Sequence, residues 1–443
     1  MTIKELKPVF LPAFLLSVLL SGSSALLYLA GRSLISSQPN LFPVVPYLQM
    51  LSIPLQIILV LVLFLVSKRK SFEKVFKVSF IVFIGIISTL TALVFFQEHI
   101  HLQGALTILE GLLPKSLAQT CHPLFSNWAT SLFYTITGLF NFSFFALFVW
   151  GFLNRCSTKE AGLKYYLPLS LIFGLAGGVI SNLALSLLSQ QNNLSFMAIP
   201  AIFLMICALA IFSWTWKKLP PELVSPKEEP PEGQIRFPFI SGAYLIAGCL
   251  ISVTLLNVLL KYQTNLKLAS PNAYAEFMGR YAMAAGGGMI IFSIIWVILG
   301  LVILRKKGWR AAAISGCWSI FLGGLLFLGL NSFSDALPWL QAGLYTSLII
   351  STSSALFFPL VQLLYLCLPY QIRFRTKIVT EMIALPIMQS LPSFLVQGII
   401  MALGSLAAAI FYLKILVPVF LLLLLVASRR AGAKFADKSL SNI

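Results

Sequence analysis

Two opposite charges lie at the start of a long apolar stretch, in SPNAYAEFMGRYAMAAGGG, residues 270–288. Glu276 and Arg280 are four residues apart, so on a helix they share one face and can form an ion pair. A charge deep in a bilayer costs roughly 3 kcal/mol even on lenient insertion scales. Two interpretations stay open. The pair anchors the helix at the outer membrane surface while the glycines allow close helix packing, or Arg280 contacts an anion on the wall of a transport path.

Other polar side chains in or beside apolar segments could also contact a substrate. Lys261 follows Asn257 by four residues at the outer end of one segment, and Lys414 lies inside the last one. Each lysine could instead extend only to the membrane surface. Glu381 stands near the start of an apolar segment, where it could carry a coupling proton or simply interact with the positive end of a helix dipole.

The chain shows no spacing typical of a catalytic or metal site. His99 and His101 lack a third ligand at suitable spacing, and the six cysteines form no metal or disulfide pattern. The glycines of AAGGG at 284–288 are not followed by the Lys-Ser/Thr of a phosphate-binding loop. We therefore predict a protein that is not an enzyme and holds no metal or cofactor, so that any transport would run on gradients or exchange.

Composition indicates an all-α integral membrane protein. The chain is 59% hydrophobic and 10% charged, with a mean hydropathy of +0.93, whereas soluble domains are about 25% charged. A helix needs about 20 apolar residues to cross the hydrocarbon core. About twelve stretches meet this length, at 9–30, 43–66, 78–97, 129–153, 165–188, 195–216, 239–260, 275–304, 310–331, 341–368, 379–404 and 407–427.

The basic residues predict the orientation. With a cytoplasmic amino terminus, the inside segments hold 25 of the 31 lysines and arginines, as the positive-inside rule requires. We therefore predict a multi-pass membrane protein with both termini in the cytoplasm. The apolar ALLYLA after SGSSA favours a retained first span over a cleaved signal peptide. The net charge of +18 then reflects topology and attraction to an anionic lipid bilayer, and no nucleic-acid partner is expected.

A Pro-rich segment divides the spans six plus six. It reads KKLPPELVSPKEEPPEGQIRFP, and its prolines predict an extended cytoplasmic linker at 217–238. The predicted N-terminal half is then 1–216, the C-terminal half 239–428, and a basic tail 429–443. Two six-helix halves are the plan of major-facilitator-like secondary transporters, which bind substrate where the halves meet.

Five segments resemble one transporter family in the same order. NWATSLFYTITGLFNFSFFALFVWGFLNRCSTKEAGLKYYLPLSLIFGLAGGVISN, residues 127–182, resembles the fourth and fifth spans of the non-mitochondrial ATP/ADP translocases of plastids and intracellular bacteria. The other similar segments are LYLAGRSLISS at 27–37, PYLQMLSIP at 46–54, residues 251–280, and LCLPYQIRFRTKIVTEMIALPIMQS at 366–390.

The resemblance implies a carrier that exchanges ATP, ADP or a related anionic metabolite, and a location in the inner membrane of a bacterium. Such a polyanion needs fixed cations along its path to replace lost hydration. Arg32 matches a family arginine at the exit of the first span, and Lys377 and Glu381 match a basic run and an acidic position at the entrance of the eleventh. The expected path thus comprises Arg32, Asn257, Lys261, Glu276, Arg280, Lys377, Glu381 and Lys414.

Several family charges are missing from this chain. Ile35 stands where the family carries a lysine, and Gly138 and Asn257 stand where it carries glutamates. Arg280 adds a cation that the family usually lacks. Two alternatives therefore stay open beside nucleotide exchange: the same scaffold carries a less charged solute, or it is a non-transporting membrane relict.

Overall fold

The computed structural model describes most of the chain in separate stretches. They are residues 3–36, 45–97, 122–140, 145–157, 161–172, 197–219, 271–330, 338–366 and 370–379, with single positions 111, 381, 419, 422 and 426. The regular structure within these stretches is entirely helical.

The helices fall into an N-terminal and a C-terminal set. The N-terminal set is α1 (Ile3–Ser36), α2 (Val45–Arg69), α3 (Phe72–Phe95), α4 (Trp128–Leu139), α5 (Phe145–Cys156), α6 (161–172) and α7 (Ala198–Lys218). The C-terminal set is α8 (Pro271–Leu330), α9 (Pro338–Ser351), the π-helical segment Thr352–Phe357, α10 (Phe358–Leu366) and α11 (Tyr370–Val379).

Five helical segments in the described part are long and apolar enough to cross a membrane. They are Val9–Gly31, Phe72–Phe95, Ala198–Lys218, Met283–Gly323 and Gly343–Leu366. All five fall on predicted spans, which confirms a helical protein with membrane-length apolar helices. The number twelve stays a prediction, because the predicted spans 239–260, 379–404 and 407–427 lie almost wholly outside the described residues.

Gly308 separates two predicted spans within α8. Its φ of 79° and ψ of 179° interrupt the helical backbone between the predicted spans 275–304 and 310–331. Glycine adopts positive φ without the steric cost that a Cβ atom brings. The basic sequence RKKGWR therefore forms the connection between two apolar helices, as its charge predicts.

Aromatic rings hold the N-terminal helices together. The Phe76 ring of α3 stacks on Phe80 of the same helix at 4.6 Å and on Phe212 of α7 at 3.6 Å between centroids. Phe148 of α5 meets Phe76 edge-on at 4.8 Å. All four rings are buried. Aromatic side chains bury large apolar surfaces, so this cluster fixes the three helices to one another.

The opposite face of α3 carries aliphatic side chains. Val78, Ile81 and Val82 are each more than half exposed. A row of exposed aliphatic residues on a membrane-length helix is suited to contact with lipid chains. The buried aromatic face and the exposed aliphatic face together orient α3 in the bundle.

Candidate functional site

The N-terminal and C-terminal helices meet at an end of the bundle that is rich in basic residues. There α11 packs on α2 and α5, and α10 packs on α5. We call this the basic end. It is defined by basic residues in the last turns of α2, α5 and α7 or on α11: Lys68, Arg69, Arg155, Lys217, Lys218, Arg373 and Lys377. We call the contact between the two sets of helices the seam.

A buried ion pair lies at the seam. Lys377 is 1% exposed and Glu381 is fully buried, and the Lys377 Nζ atom lies 3.7 Å from Glu381 Oε2. Lys377 precedes the predicted eleventh span. Burial lowers the pKa of its ammonium, and the neighbouring Glu381 carboxylate opposes that shift. A buried pair is stable only when further hydrogen bonds satisfy its remaining donors and acceptors.

Gln362 of α10 supplies one hydrogen bond to each member of the pair. Its Oε1 atom accepts from Lys377 Nζ at 2.5 Å, and its Nε2 atom donates to Glu381 Oε1 at 2.7 Å. Gln362 is itself fully buried. One neutral amide thus contacts both members of the ion pair, which fixes the positions of the cation and the carboxylate.

Asn154 connects this group to the N-terminal helices. Its Nδ2 atom donates to Gln362 Oε1 at 2.9 Å, and its Oδ1 atom accepts from Tyr166 Oη at 2.8 Å. Arg373 donates from Nη1 to the Asn154 carbonyl at 3.1 Å and from Nη2 to the Leu366 carbonyl at 2.9 Å. The hydrogen-bonded network therefore crosses the seam from α5 and α6 to α10 and α11.

Apolar contacts close the seam around the network. The rings of Phe72 on α3 and Phe374 on α11 meet edge-on with centroids 4.8 Å apart. On α6, a Cβ atom built at Gly162 would lie only 2.3 Å from Leu366 Cδ1. The absence of a side chain at Gly162 thus lets α6 approach α10 closely. The basic end is closed in this conformation.

The predicted path residues lie in different parts of the structure. Lys377 and Glu381 come together in the buried network, and Arg280 lies exposed on α8. Arg32 belongs to α1 and Glu276 to α8, although their side chains are outside the described part. The remaining predicted path residues, which fall on undescribed positions, are Asn257, Lys261 and Lys414.

The glycines that follow Arg280 do not behave alike. A Cβ atom at Gly288 would lie 2.2 Å from Ser347 Oγ, so α8 and α9 approach closely there. At Gly287 no atom lies within 4 Å of the corresponding position. Close packing therefore accounts for Gly288.

Gln362, Asn154 and Tyr166 were not predicted from the sequence as site residues. Gln362 is the single amide in the apolar run FPLVQLLYL of residues 358–366, and that isolation was the available signal. A buried amide requires hydrogen-bond partners, which predicts a polar neighbour but not its identity. Asn154 is 208 positions from Gln362 in the chain, so only the folded structure reveals the pairing.

Comparison with solved structures identifies the fold. The proton:xylose symporter XylE of the major facilitator superfamily matches 98% of this chain and 96% of its own, with a TM-score of 0.62 and 14% identity. The human organic anion transporter MFSD10 matches 96% of this chain and 100% of its own, with a TM-score of 0.60 and 15% identity. These similarities show a major-facilitator fold.

Comparison of sequences identifies the family. The chain is 22% identical to ADP,ATP carrier protein 1 of Chlamydia trachomatis over 98% of this chain and 90% of that carrier. It is 30% identical to ADP,ATP carrier protein 4 of Rickettsia felis over 53% of this chain and 49% of the relative. The model of the TLC ATP/ADP transporter family matches residues 1–219 and 238–435. The matched proteins are transporters rather than enzymes, and the chain belongs to the TLC ATP/ADP transporter family.

Proposed function

We propose that this protein is a secondary transporter that exchanges ATP- and ADP-type nucleotides, or takes up a related anionic metabolite, by alternating access. The family match and the relatives named as ADP,ATP carriers support the substrate class. The major-facilitator fold supports the mechanism, since such transporters bind substrate where their two halves meet.

The observation that carries this proposal is the buried Lys377–Glu381 pair at the seam. A buried charge pair is expensive, and replacing it by apolar residues often leaves stability unchanged or increases it. Its presence between two sets of helices that must separate during transport therefore favours a functional role. When the seam opens, Lys377 becomes a cation on the wall of the path, where it can contact a phosphate oxygen of the substrate.

The other path residues are proposed from the sequence. Arg32, Lys261, Arg280 and Lys414 would supply further cations, while Asn257 and Glu276 would supply polar or acidic partners. Arg280 is exposed on α8, which is compatible with contact to a substrate. Fixed cations from both halves would replace the hydration that a nucleotide loses on entering the path.

We further propose that the basic end faces the cytoplasm of a bacterial cell, with both termini inside and the protein in the inner membrane. The positive-inside rule supports this orientation, because the lysines and arginines that close α2, α5 and α7 lie at that end. The halves would be 1–216 and 239–428, joined by the linker 217–238. The structure then corresponds to a conformation that is closed toward the cytoplasm.

Uptake by proteoliposomes that contain the full chain tests the proposal. Labelled ATP, ADP, other nucleotides and NAD would each be offered with and without unlabelled nucleotide inside. We expect uptake of at least one nucleotide, accelerated by internal nucleotide, and loss of that uptake in Lys377→Met. Absence of nucleotide uptake by correctly inserted wild-type protein would contradict the proposal. Uncharged solutes would then be screened on the same vesicles to separate a different transporter from a non-transporting relict.

A further inference from the structure

A shallow cleft with three cationic side chains opens on the seam. Its described lining comes from α5 and α11 and comprises Gly151, Asn154, Arg155, Arg373, Phe374 and Lys377. Arg155 belongs to the N-terminal helices, whereas Arg373 and Lys377 belong to the C-terminal ones. These six residues carry three positive charges and no negative one.

The protein fixes each of the three cations in a different way. The Arg155 guanidinium carbon lies 5.7 Å from the centroid of the Phe72 ring, which orients the side chain by a cation–π contact. The two bonds from Arg373 to the carbonyls of Asn154 and Leu366 hold its guanidinium at the seam. Glu381 offsets the charge of Lys377. The two arginines therefore give the cleft a net positive charge.

An oxyanion is the ligand that this charge and geometry favour. Both arginines are only partly exposed, so their charges are less screened than those of surface side chains. The planar guanidinium group matches phosphate oxygens with paired hydrogen bonds. The cleft has little enclosed space and is partly open to solvent, so a ligand here would be a single oxyanion group held at its mouth. Such a position suits one phosphate group rather than a complete nucleotide.

We propose that the cleft is a phosphate site that bridges the seam and favours the conformation closed at the basic end. A phosphate bound between Arg155 on one side and Arg373 on the other attracts both sets of helices. Opening the seam separates these arginines, so the site no longer exists in the open conformation. Phosphate bound here therefore delays opening. The binding itself does not depend on what the protein transports, whereas its effect on nucleotide exchange rests on the proposed function.

Direct binding to the full chain tests the site. The purified protein in neutral phosphatidylcholine nanodiscs would be titrated with inorganic pyrophosphate while its thermal unfolding is followed. We expect pyrophosphate to stabilise the wild type, and Arg155→Gln to raise the half-saturating concentration about tenfold, the change that one lost charged contact of moderate strength produces. Arg155 is the first choice because its replacement leaves the two carbonyl bonds of Arg373 in place.

Two variants serve as controls for this titration. Arg155→Lys keeps the charge and should retain part of the affinity. Lys164→Gln removes a cation from the exposed surface of α6, where Lys164 Nζ lies 5.3 Å from the Tyr165 ring and outside the cleft lining, and should bind pyrophosphate like the wild type. Equal affinity of wild type and Arg155→Gln would overturn the proposal.

A parallel series identifies the source of the phosphate group. Nanodiscs with phosphatidic acid would replace the soluble pyrophosphate. Stabilisation that depends on Arg155 in the lipid series, without a pyrophosphate effect, assigns the site to a lipid headgroup. An Arg155-dependent effect of pyrophosphate assigns it to a soluble phosphate. No Arg155-dependent effect in either series contradicts a phosphate site at this position.

Exchange assays separate the failure of this inference from failure of the proposed function. In vesicles that exchange nucleotides, pyrophosphate on the basic side should slow wild-type exchange and have a weaker effect on Arg155→Gln. Equal slowing of both proteins would show that the cleft does not regulate exchange, although nucleotide exchange itself would be established. If the wild type moves no nucleotide, the binding titration still decides whether the site exists.

Discussion

The N-terminal helices are joined to one another by a cluster of aromatic rings, whereas their contact with the C-terminal helices combines ring contacts with a buried polar network. Within the N-terminal set, Phe76 of α3 packs against Phe148 of α5 and Phe212 of α7 in an apolar cluster. Across the seam, Asn154 and Gln362 connect α5 to a buried ion pair. Apolar ring contacts have no substitute in water, but hydrogen bonds can be exchanged for bonds to water at a net cost of only about 1 kcal/mol each. The comparison indicates which contact is permanent and which is built to open.

The largest effect is expected from breaking the ion pair on one side. Lys377→Met leaves the Glu381 carboxylate buried without its cation, which we expect to destabilise the protein by about 3–5 kcal/mol and to abolish transport. The double variant Lys377→Met/Glu381→Gln should recover most of the stability because no buried charge remains, while transport stays absent. Thermal unfolding in detergent and uptake in vesicles measure the two quantities.

A matched control for this experiment lies on α3. Glu73 and Lys77 form an ion pair with the same four-residue spacing, but both side chains are 28% exposed. Lys77→Met should cost at most about 1 kcal/mol, the usual range for exposed pairs. Equal losses at Lys77 and Lys377 would show that burial at the seam confers no special role on the inner pair.

Removal of a ring from the permanent contact should affect stability alone. Phe76→Ala deletes a buried side chain that contacts rings of two other helices, and we expect a loss of about 3–4 kcal/mol. The turnover of the protein that remains folded should be close to that of the wild type, since the ring contacts given for Phe76 are to rings of the N-terminal helices. Phe203→Ala, at a ring that is 63% exposed on α7, is the control and should change neither quantity strongly. A selective loss of turnover in Phe76→Ala would contradict the division between permanent and opening contacts.

A smaller effect is expected from filling the close approach at Gly162. The added Cβ of Gly162→Ala would lie 2.3 Å from Leu366 Cδ1, so the leucine or the helix must shift. We expect the closed conformation to lose about 1–3 kcal/mol, the range for overpacking, and the open conformation to gain population. The rate at which a maleimide labels a cysteine introduced at the seam measures this shift in population.

Gly85→Ala serves as the control for Gly162→Ala. A Cβ at Gly85 meets no atom within 4 Å on the exposed face of α3. The substitution should therefore leave cysteine accessibility unchanged. An equal change in both variants would mean that the loss of glycine, rather than contact across the seam, causes the effect.

The sequence predicted the apolar helices better than it predicted their partners. RKKGWR marked the connection at Gly308 because its four basic residues interrupt an otherwise apolar stretch. Lys377 and Glu381 were predicted as path residues with separate roles. Their four-residue spacing is the local signal that two such side chains can pair on one helix face. Gln362 was not predicted, because a single amide in an apolar helix carries no information about which distant side chain it meets.

The π-helical segment was also beyond the sequence analysis. Thr352–Phe357 begins within the hydroxyl-rich run STSS, residues 351–354, and Pro359 lies two positions after its end. Pro359 has no N–H to donate to the Ala355 carbonyl, and Ser170 Oγ of α6 donates to that carbonyl at 3.1 Å. Hydropathy patterns report which residues enter the membrane, whereas helix widening depends on tertiary contacts.

The smallest and most selective effect is expected from Asn154→Leu. This change removes the donor to Gln362 Oε1 and the acceptor of the Tyr166 hydroxyl, but it keeps the ion pair and a side chain of similar size. A loss of about 1 kcal/mol for the closed conformation would raise the open population several-fold. The measurement is the rate at which a maleimide labels Leu366→Cys, a 4% exposed position on the seam, in a background without native cysteines.

Thr91→Val is the control for Asn154→Leu. Thr91 Oγ1 donates to the Ile87 carbonyl at 2.7 Å within α3, so its removal also deletes one buried hydrogen bond, but not one that crosses the seam. Faster labelling in Asn154→Leu with unchanged labelling in Thr91→Val would assign the opening to the seam network. Equal labelling rates in both variants would mean that Asn154 does not hold the seam closed, and the closing force would then have to come from the apolar contacts of Phe374 and Leu366.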